Sequence, residues 1–258
     1  MTAEPMPERM SQDLRGKVVI LPVDAGATAT TSAGVVYPVA GAATPTASVA
    51  ETNCPTLGLI LAGGLARRMG GVDKTRIRIG GATILERTLA RLTPQCSRVI
   101  INANGDATRF ADTGLTVVAD GVPDFAGPLA GVLAGLDWAA ANAPDNEWLA
   151  SVPGDCPFLP RDLVARLHKA RKAAATPLAC ARSGEWRHPT VGLWPVALRE
   201  DLRRALLNEG SRKVEVWTRR HGVAIADWPA TPIDPFFNVN TPEDAVRAEV
   251  IATQYPDA

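Results

Sequence analysis

From Pro55 onward, short apolar runs alternate with stretches whose apolar positions recur at helical spacing. Residues 57–61 (LGLIL) are a continuous apolar run stopped by Gly-Gly, as a strand buried on both faces should look. In residues 82–92 (ATILERTLARL), Ile84, Leu85, Thr88, Leu89 and Leu92 share one helical face. Residues 98–103 (RVIINA) and 115–119 (LTVVA) read as strands, and 129–141 as an Ala/Leu-rich helix. Another buried strand, 148–152, stops at Pro153-Gly154, and an amphipathic helix follows at 161–174. Strands at 178–181, 190–194 and 223–226, helices at 196–207 and 211–219, and a last helix from Pro242 complete the pattern. Repeated β-α-β units predict an α/β fold: a mostly parallel sheet between two helical layers, a three-layer Rossmann-like α/β/α sandwich. Ligands of such folds sit beyond the carboxyl ends of the strands.

Residues 1–53 break the pattern. Between Ala25 and Thr52 the chain is mostly Ala, Thr, Val, Gly, Ser and Pro with one charged residue, Glu51. That segment buries too little to offset its ordering entropy, so residues 1–53 read as a flexible extension with a strand at 18–23, and 54–258 as the domain. Lys plus Arg number 27 and Asp plus Glu 27, a balance that argues against binding nucleic acid or an anionic membrane by bulk charge. No apolar window is long enough to span a membrane, and the first residues lack the basic and apolar regions of a secretory signal. Four scattered cysteines make neither a disulfide framework nor a zinc knuckle. The expectation is a soluble, cytoplasmic protein.

The densest chemistry follows the first strand of the domain. Residues 61–74 (LAGGLARRMGGVDK) hold four glycines, Arg67, Arg68 and Lys74. Glycines admit a phosphate close to backbone N–H groups, and the cations neutralise it. The dinucleotide fingerprint fails on glycine spacing, and a P-loop fails because Asp73, not Gly, precedes Lys74-Thr75. In VPGDCPFLP (152–160), Asp155 stands at a strand's carboxyl end among prolines. It is placed either to hold Mg²⁺ together with substrate phosphates or only to cap the turn, and the residues alone leave both open. Cys156 has no visible base and reads as a buried bystander, while His168 reads as a solvated residue on a helix surface. Asn102 and Asp120, at further strand ends, suit either reading a base or ribose or forming turns. Gly127 to Gly131 open a helix with an anion-friendly end. Thr241 is a plausible helix N-cap with Pro242 behind it, after Asn238-Val239-Asn240. Arg182, Arg187, Arg212 and Lys213 add positive charge late in the chain.

LAGGLARRMGGVDK, NAN, VVAD, GPLAG, VPGDCPFLP, RHPT and NVNTPED occur here in the order seen in the molybdenum cofactor guanylyltransferases, which this chain resembles over about residues 56–250. Those enzymes belong to the wider nucleotidyltransferase superfamily, and the relatives vary on both sides of the motif aspartate. The resemblance implies transfer of GMP from GTP to the terminal phosphate of molybdenum-molybdopterin, with release of pyrophosphate and with Mg²⁺ as cofactor. By similarity, Leu61, Ala62, Gly63, Lys74, Asn102, Asp120 and Asp155 match GTP-binding positions, and Asp155 also matches the metal ligand. Arg68, Gly71, Gly127, Gly131, Asn238 and Asn240 match other motif positions; Arg68 joins Lys74 and Asp155 as a candidate catalytic group. Arg182, Arg187, Arg212 and Lys213 are candidates for the pterin side. Other cofactor-biosynthesis or acceptor proteins are possible partners by the same resemblance.

The substrate phosphate is already an anionic nucleophile, so alignment and charge neutralisation suffice and no Ser-His-Asp set is needed. Guanine recognition is expected from backbone groups of Leu61-Ala62-Gly63 and from Asn102 both donating and accepting. The rivals are a cytidylyltransferase on the same pterin, a sugar-phosphate nucleotidyltransferase, and a pterin carrier without catalysis. Lys74 and Asp155 speak against the carrier.

Overall fold

The structure is a computed structural model and describes residues 9–12, 18–21, 54–63, 73–122 and 127–257. The chain divides into two compact units, Met1–Ala47 and Ser48–Ala258. In the first, β1 (Arg9–Gln12) pairs antiparallel with β2 (Val18–Leu21), Arg9 opposite Leu21. Pro22 and Val23 of the expected strand, and residues 24–53 of the expected extension, lie outside the described residues.

In the second unit, seven described strands form one sheet in the order β11-β9-β10-β8-β3-β6-β7. These are β3 (Thr56–Leu61), β6 (Arg98–Asn102), β7 (Val117–Val118), β8 (Trp148–Pro153), β9 (Leu178–Ser183), β10 (Trp186–Pro195) and β11 (Val223–Trp228). Only β10 runs against the rest, antiparallel to both β8 and β9. A Gly184-Glu185 turn joins β9 to β10, with Gly184 left-handed at φ 54°, and so short a connection can only make a hairpin. The sequence placed a strand there without showing its reversal.

Helices cover both faces. α1 (Ile84–Leu92) and α3 (Leu163–Ala174) pack Leu85, Leu92, Leu163 and Leu167 with Ile60, Ile101 and Val152 on one face. α2 (Pro128–Asn142), α4 (Arg199–Leu207) and α5 (Val214–His221) bury Leu133, Leu136, Leu202 and Trp217 against Leu57, Leu59 and Ile100 on the other. α6 (Pro242–Gln254) starts with a capping box in which Thr241 and Asp244 satisfy each other's backbone N–H groups, and Pro242 is its first residue. It lies over a small hairpin, β4 (Arg78–Ile79) and β5 (Ala82–Thr83), where the sequence pattern had extended α1. Among the described residues no helix is long and apolar enough to cross a membrane.

His168 is a correction. It is wholly buried rather than solvated, its Nε2 2.8 Å from the Thr56 hydroxyl oxygen and its Nδ1 accepting from Arg171 Nε at 3.2 Å. Because the Thr56 hydroxyl donates to the Cys54 carbonyl, Nε2 carries the ring proton. Burial lowers the pKa of this imidazole to about 4.

Candidate active site

The chain leaves β3 toward β6 and β7 on one side, then returns through α2 to β8 on the other. The carboxyl ends of β3 and β8 therefore flank the point where the winding reverses, which opens a crevice. Leu61 is level with both Asn102 and Pro153. The Ala62 N–H donates to the Asn102 carbonyl at 2.8 Å, and the Gly154 N–H donates to the Leu61 carbonyl at 2.9 Å. Beyond them Leu61, Ala62, Asp73, Lys74, Thr75, Pro153, Gly154 and Asp155 line a cleft of about 140 Å³.

Lys74 enters this cleft because Asp73 caps the turn Lys74–Arg76, its Oδ1 accepting from the Thr75 N–H at 3.0 Å and the Thr75 hydroxyl at 2.7 Å. Lys74 Nζ donates to Asn240 Oδ1 at 2.7 Å and lies 3.6 Å from Asp155 Oδ2. Burial pushes the Asp155 carboxyl above its ordinary pKa, and the Lys74 ammonium opposes that rise. Val239 N–H donates to the Asp155 carbonyl at 2.9 Å, and the buried Cys156 thiol to Asn238 Oδ1 at 2.7 Å. The segment before α6 thus grips the Asp155 turn at successive residues. Burial also keeps Cys156 a thiol, in line with its reading as a bystander to the chemistry.

Among the described residues no cluster of three or more His, Cys, Asp or Glu could hold a metal. Asp155, a largely buried carboxylate beside an ammonium, fits a hard divalent ion shared with substrate oxygens and water, and the cleft does not fit a metal caged by protein alone.

On the β6 side, Asn102 Nδ2 donates to the Val118 carbonyl at 3.1 Å and to Asp120 Oδ1 at 2.8 Å. Asp120 Oδ2 accepts from Asn104 at 2.8 Å. Both amide hydrogens of Asn102 are taken, so it offers an acceptor only, and the expected two-way reading of a base by Asn102 is corrected. The Ala62 N–H and the Leu61 carbonyl are likewise engaged in the sheet. A methyl group at Gly131 would meet Asn102 Oδ1 at 2.2 Å, so α2 crosses this amide at a distance only glycine allows.

The structure brings Leu61, Ala62, Gly63, Lys74, Asn102, Asp120, Gly131, Asp155, Asn238 and Asn240 to one end of the sheet. Gly127, at the start of α2, lies beside the backbone of Arg212, so the Arg212-Lys213 segment neighbours that helix end. Arg182 is held by Asp227 on the edge strand β11, at 2.5 and 3.0 Å. Arg187 lines a separate cleft under α5 with Cys180 and Arg219. Neither arginine is among the groups around Lys74 and Asp155. Arg68 and Gly71 lie outside the described residues. Sequence reasoning missed Arg109, whose guanidinium lies 3.3 Å from Asp73 Oδ2 and donates to the Ala62 carbonyl at 3.2 Å. No local pattern marks it, because its partners are 36 and 47 residues away.

A mostly parallel sheet, with a lysine and a carboxylate converging at the switch point after a strand that runs into a glycine-rich sequence, defines a nucleotidyltransferase. The chain belongs to the family described as the MobA-like NTP transferase domain, whose family model matches residues 58–223. A molybdenum cofactor guanylyltransferase of Nitrobacter hamburgensis is 61% identical over 198 residues, 77% of this chain and 95% of that protein. One from a Bradyrhizobium species is 58% identical over 202 residues, 78% and 95% of the two chains. The molybdopterin-guanine dinucleotide biosynthesis protein A of Archaeoglobus fulgidus shares the fold, with TM-score 0.61 at 22% identity over 77% of this chain and 99% of that one.

Proposed function

We propose that this enzyme transfers GMP from GTP to the terminal phosphate of molybdenum-molybdopterin, forming the guanine dinucleotide and pyrophosphate with Mg²⁺ as cofactor. The observation that carries this reading is the Lys74–Asp155 pair, 3.6 Å apart in a cleft at the carboxyl ends of β3 and β8. The names of the relatives at 61% and 58% identity support guanine as the base and the pterin as acceptor.

The pterin phosphate is the nucleophile and pyrophosphate the leaving group, so the residues must align two anions rather than move a proton. Lys74 is oriented by the Asp73 turn and by Asn240 to neutralise the departing phosphates. Arg68 is assigned the same task by motif position. The glycine-rich sequence from Gly63 to Gly71 is assigned to the triphosphate by motif position. Asp155 is the residue that would hold Mg²⁺, which when bound withdraws charge from the α-phosphate and fixes its orientation. Asn102, Asp120, Gly131 and Gly127 shape the nucleoside side, and Arg212 with Lys213 beside α2 are assigned to the pterin side. We assign the reaction to the cytoplasm, a reading supported by four unpaired cysteines, as a reducing compartment would keep them.

The test is pyrophosphate release by purified protein given Mg²⁺, molybdenum-molybdopterin and each nucleoside triphosphate in turn. GTP should exceed CTP in kcat/KM by at least about tenfold, the ratio that about 1.4 kcal/mol gives. Equal or reversed values would make it a cytidylyltransferase. Release only with a sugar phosphate as acceptor, or pterin binding without release, would move the activity to one of the other readings.

A further inference from the structure

The cleft that accepts the nucleotide is lined by two carboxylates, Asp73 and Asp155, against one ammonium, Lys74. Asp155 has a use for its charge. Asp73 spends its Oδ1 on the Thr75 cap, and its carboxylate adds a second negative charge beside Lys74. Arg109 meets that charge at 3.3 Å. The same guanidinium donates to the Ala62 carbonyl at 3.2 Å. Ala62 precedes the glycine-rich sequence and Asp73 follows it, so one side chain contacts both flanking residues.

Arg109 is itself held in place. Its guanidinium carbon lies 4.6 Å from the ring centroid of Phe110, which is 1% exposed. Its backbone carbonyl accepts from Arg76, which is clamped by Asp112 at 2.6 Å through both terminal guanidinium nitrogens. The turn Ala107–Thr113 is thus bound to the turn Lys74–Arg76 at two points, one through each arginine.

We propose that Arg109 is a positioning residue of the nucleotide site, which cancels the Asp73 charge so that a triphosphate can settle beside Lys74. The inference rests on the reading of the cleft as a nucleoside triphosphate site. It carries a signature that ordinary structural support lacks. If the harm from losing Arg109 comes from an uncancelled Asp73, then removing that second charge should repair it.

The experiment uses the full chain with Arg109→Met, which keeps the aliphatic stem over Phe110, and the double variant Arg109→Met/Asp73→Asn. Asn at 73 retains an acceptor for Thr75 but no charge. The readouts are KM for GTP, KM for molybdenum-molybdopterin, and equilibrium binding of a fluorescent GTP analogue. Arg109→Met should raise the GTP KM and the analogue Kd by about tenfold, with the pterin KM within about twofold of wild type. The double variant should return the GTP values to within about threefold of wild type. An unchanged GTP KM in Arg109→Met, or a double variant no better than the single one, overturns the proposal. If Arg109→Met does not fold, Arg109→Lys and Arg109→Gln replace it: Lys must bind the analogue at least about fivefold tighter than Gln, and equal binding overturns the proposal. Turnover by wild type with a triphosphate other than GTP overturns the guanine reading alone, and the same comparison then runs with that nucleotide. Failure to bind any nucleoside triphosphate overturns both.

Discussion

Gly131→Ala isolates the crossing of α2 over the nucleoside side of the site. The added methyl would lie 2.2 Å from Asn102 Oδ1, 2.9 Å from Asn102 Cγ and 2.8 Å from Leu61 Cδ2. Asn102 cannot retreat freely, since its amide is fixed by the Val118 carbonyl and by Asp120. Overpacking of this kind costs about 1–3 kcal/mol, and a lost hydrogen bond to a carboxylate adds about 1.5–3 kcal/mol. Alanine returns about 1 kcal/mol through helix propensity. The net loss is about 1.5–5 kcal/mol, or roughly 3–20 °C in Tm for a domain of this size. Moving Asn102 and Asp120 should also raise the GTP KM by at least about tenfold. Gly135→Ala, one turn further along the same helix, is the control. Its methyl would meet only the ends of Leu149 and Leu59, each at 2.8 Å, in the core and away from the cleft. With no hydrogen bond to lose it should cost less, about 0–2 kcal/mol, and leave the GTP KM unchanged. Thermal unfolding and initial-rate kinetics on both variants decide the matter. Wild-type GTP KM in a folded Gly131→Ala protein, or equal KM effects in the two variants, would refute the reasoning.

Other outcomes follow from the same geometry. Asp155→Ala should abolish pyrophosphate release while circular dichroism stays native, and near-normal turnover would remove Asp155 from the metal role. Lys74→Ala should lower kcat/KM at least about tenfold through loss of a charge-assisted phosphate contact; an unchanged value would place the phosphates elsewhere. His168, with its folded pKa near 4 and an ordinary unfolded value of about 6.5, takes up a proton on unfolding between those values. Its contribution is therefore complete above about pH 6.5 and lost as pH falls toward 4, about 2.5 kcal/mol between pH 7 and 4.5. Urea titrations should show that loss in wild type and not in His168→Gln; equal slopes with pH would refute the assignment. Removing residues 1–52 should leave expression, Tm and turnover unchanged, and an insoluble or inactive product would show that the extension supports the domain.

The strands that position the site were legible because each is an apolar run buried on both faces, and the motif residues follow where those runs stop. Leu61, Asn102 and Asp155 needed no more than that. Local pattern was blind where a distant contact decides the outcome. The period that places His168 on a helix face does not show that Thr56 waits beneath it. Ala82 and Thr83 fit a helical stripe yet form a strand, because Thr83 is the capping residue and helix geometry begins after it. Arg109 lies in a turn with no apolar period at all, and its role depends on where Ala62 and Asp73 come to rest. The two-way role expected of Asn102 failed for the same reason: its side chain chemistry was readable, but its partners at Val118 and Asp120 were not.

The bond from Lys74 to Asn240 joins residues 166 positions apart. At a ribosomal pace of ~5–20 residues per second, roughly 10–30 s separate the synthesis of the lysine from that of its partner. During that interval β3, α1, β6, α2 and β8 can all be present while the ammonium has only Asp155 to hold it. A nascent chain stalled before Asn240, or a protein clipped just ahead of that residue, would therefore carry both charges without the amide that aims one of them. The lysine of the cleft is therefore aimed only when a residue near the far end of the chain has taken its place.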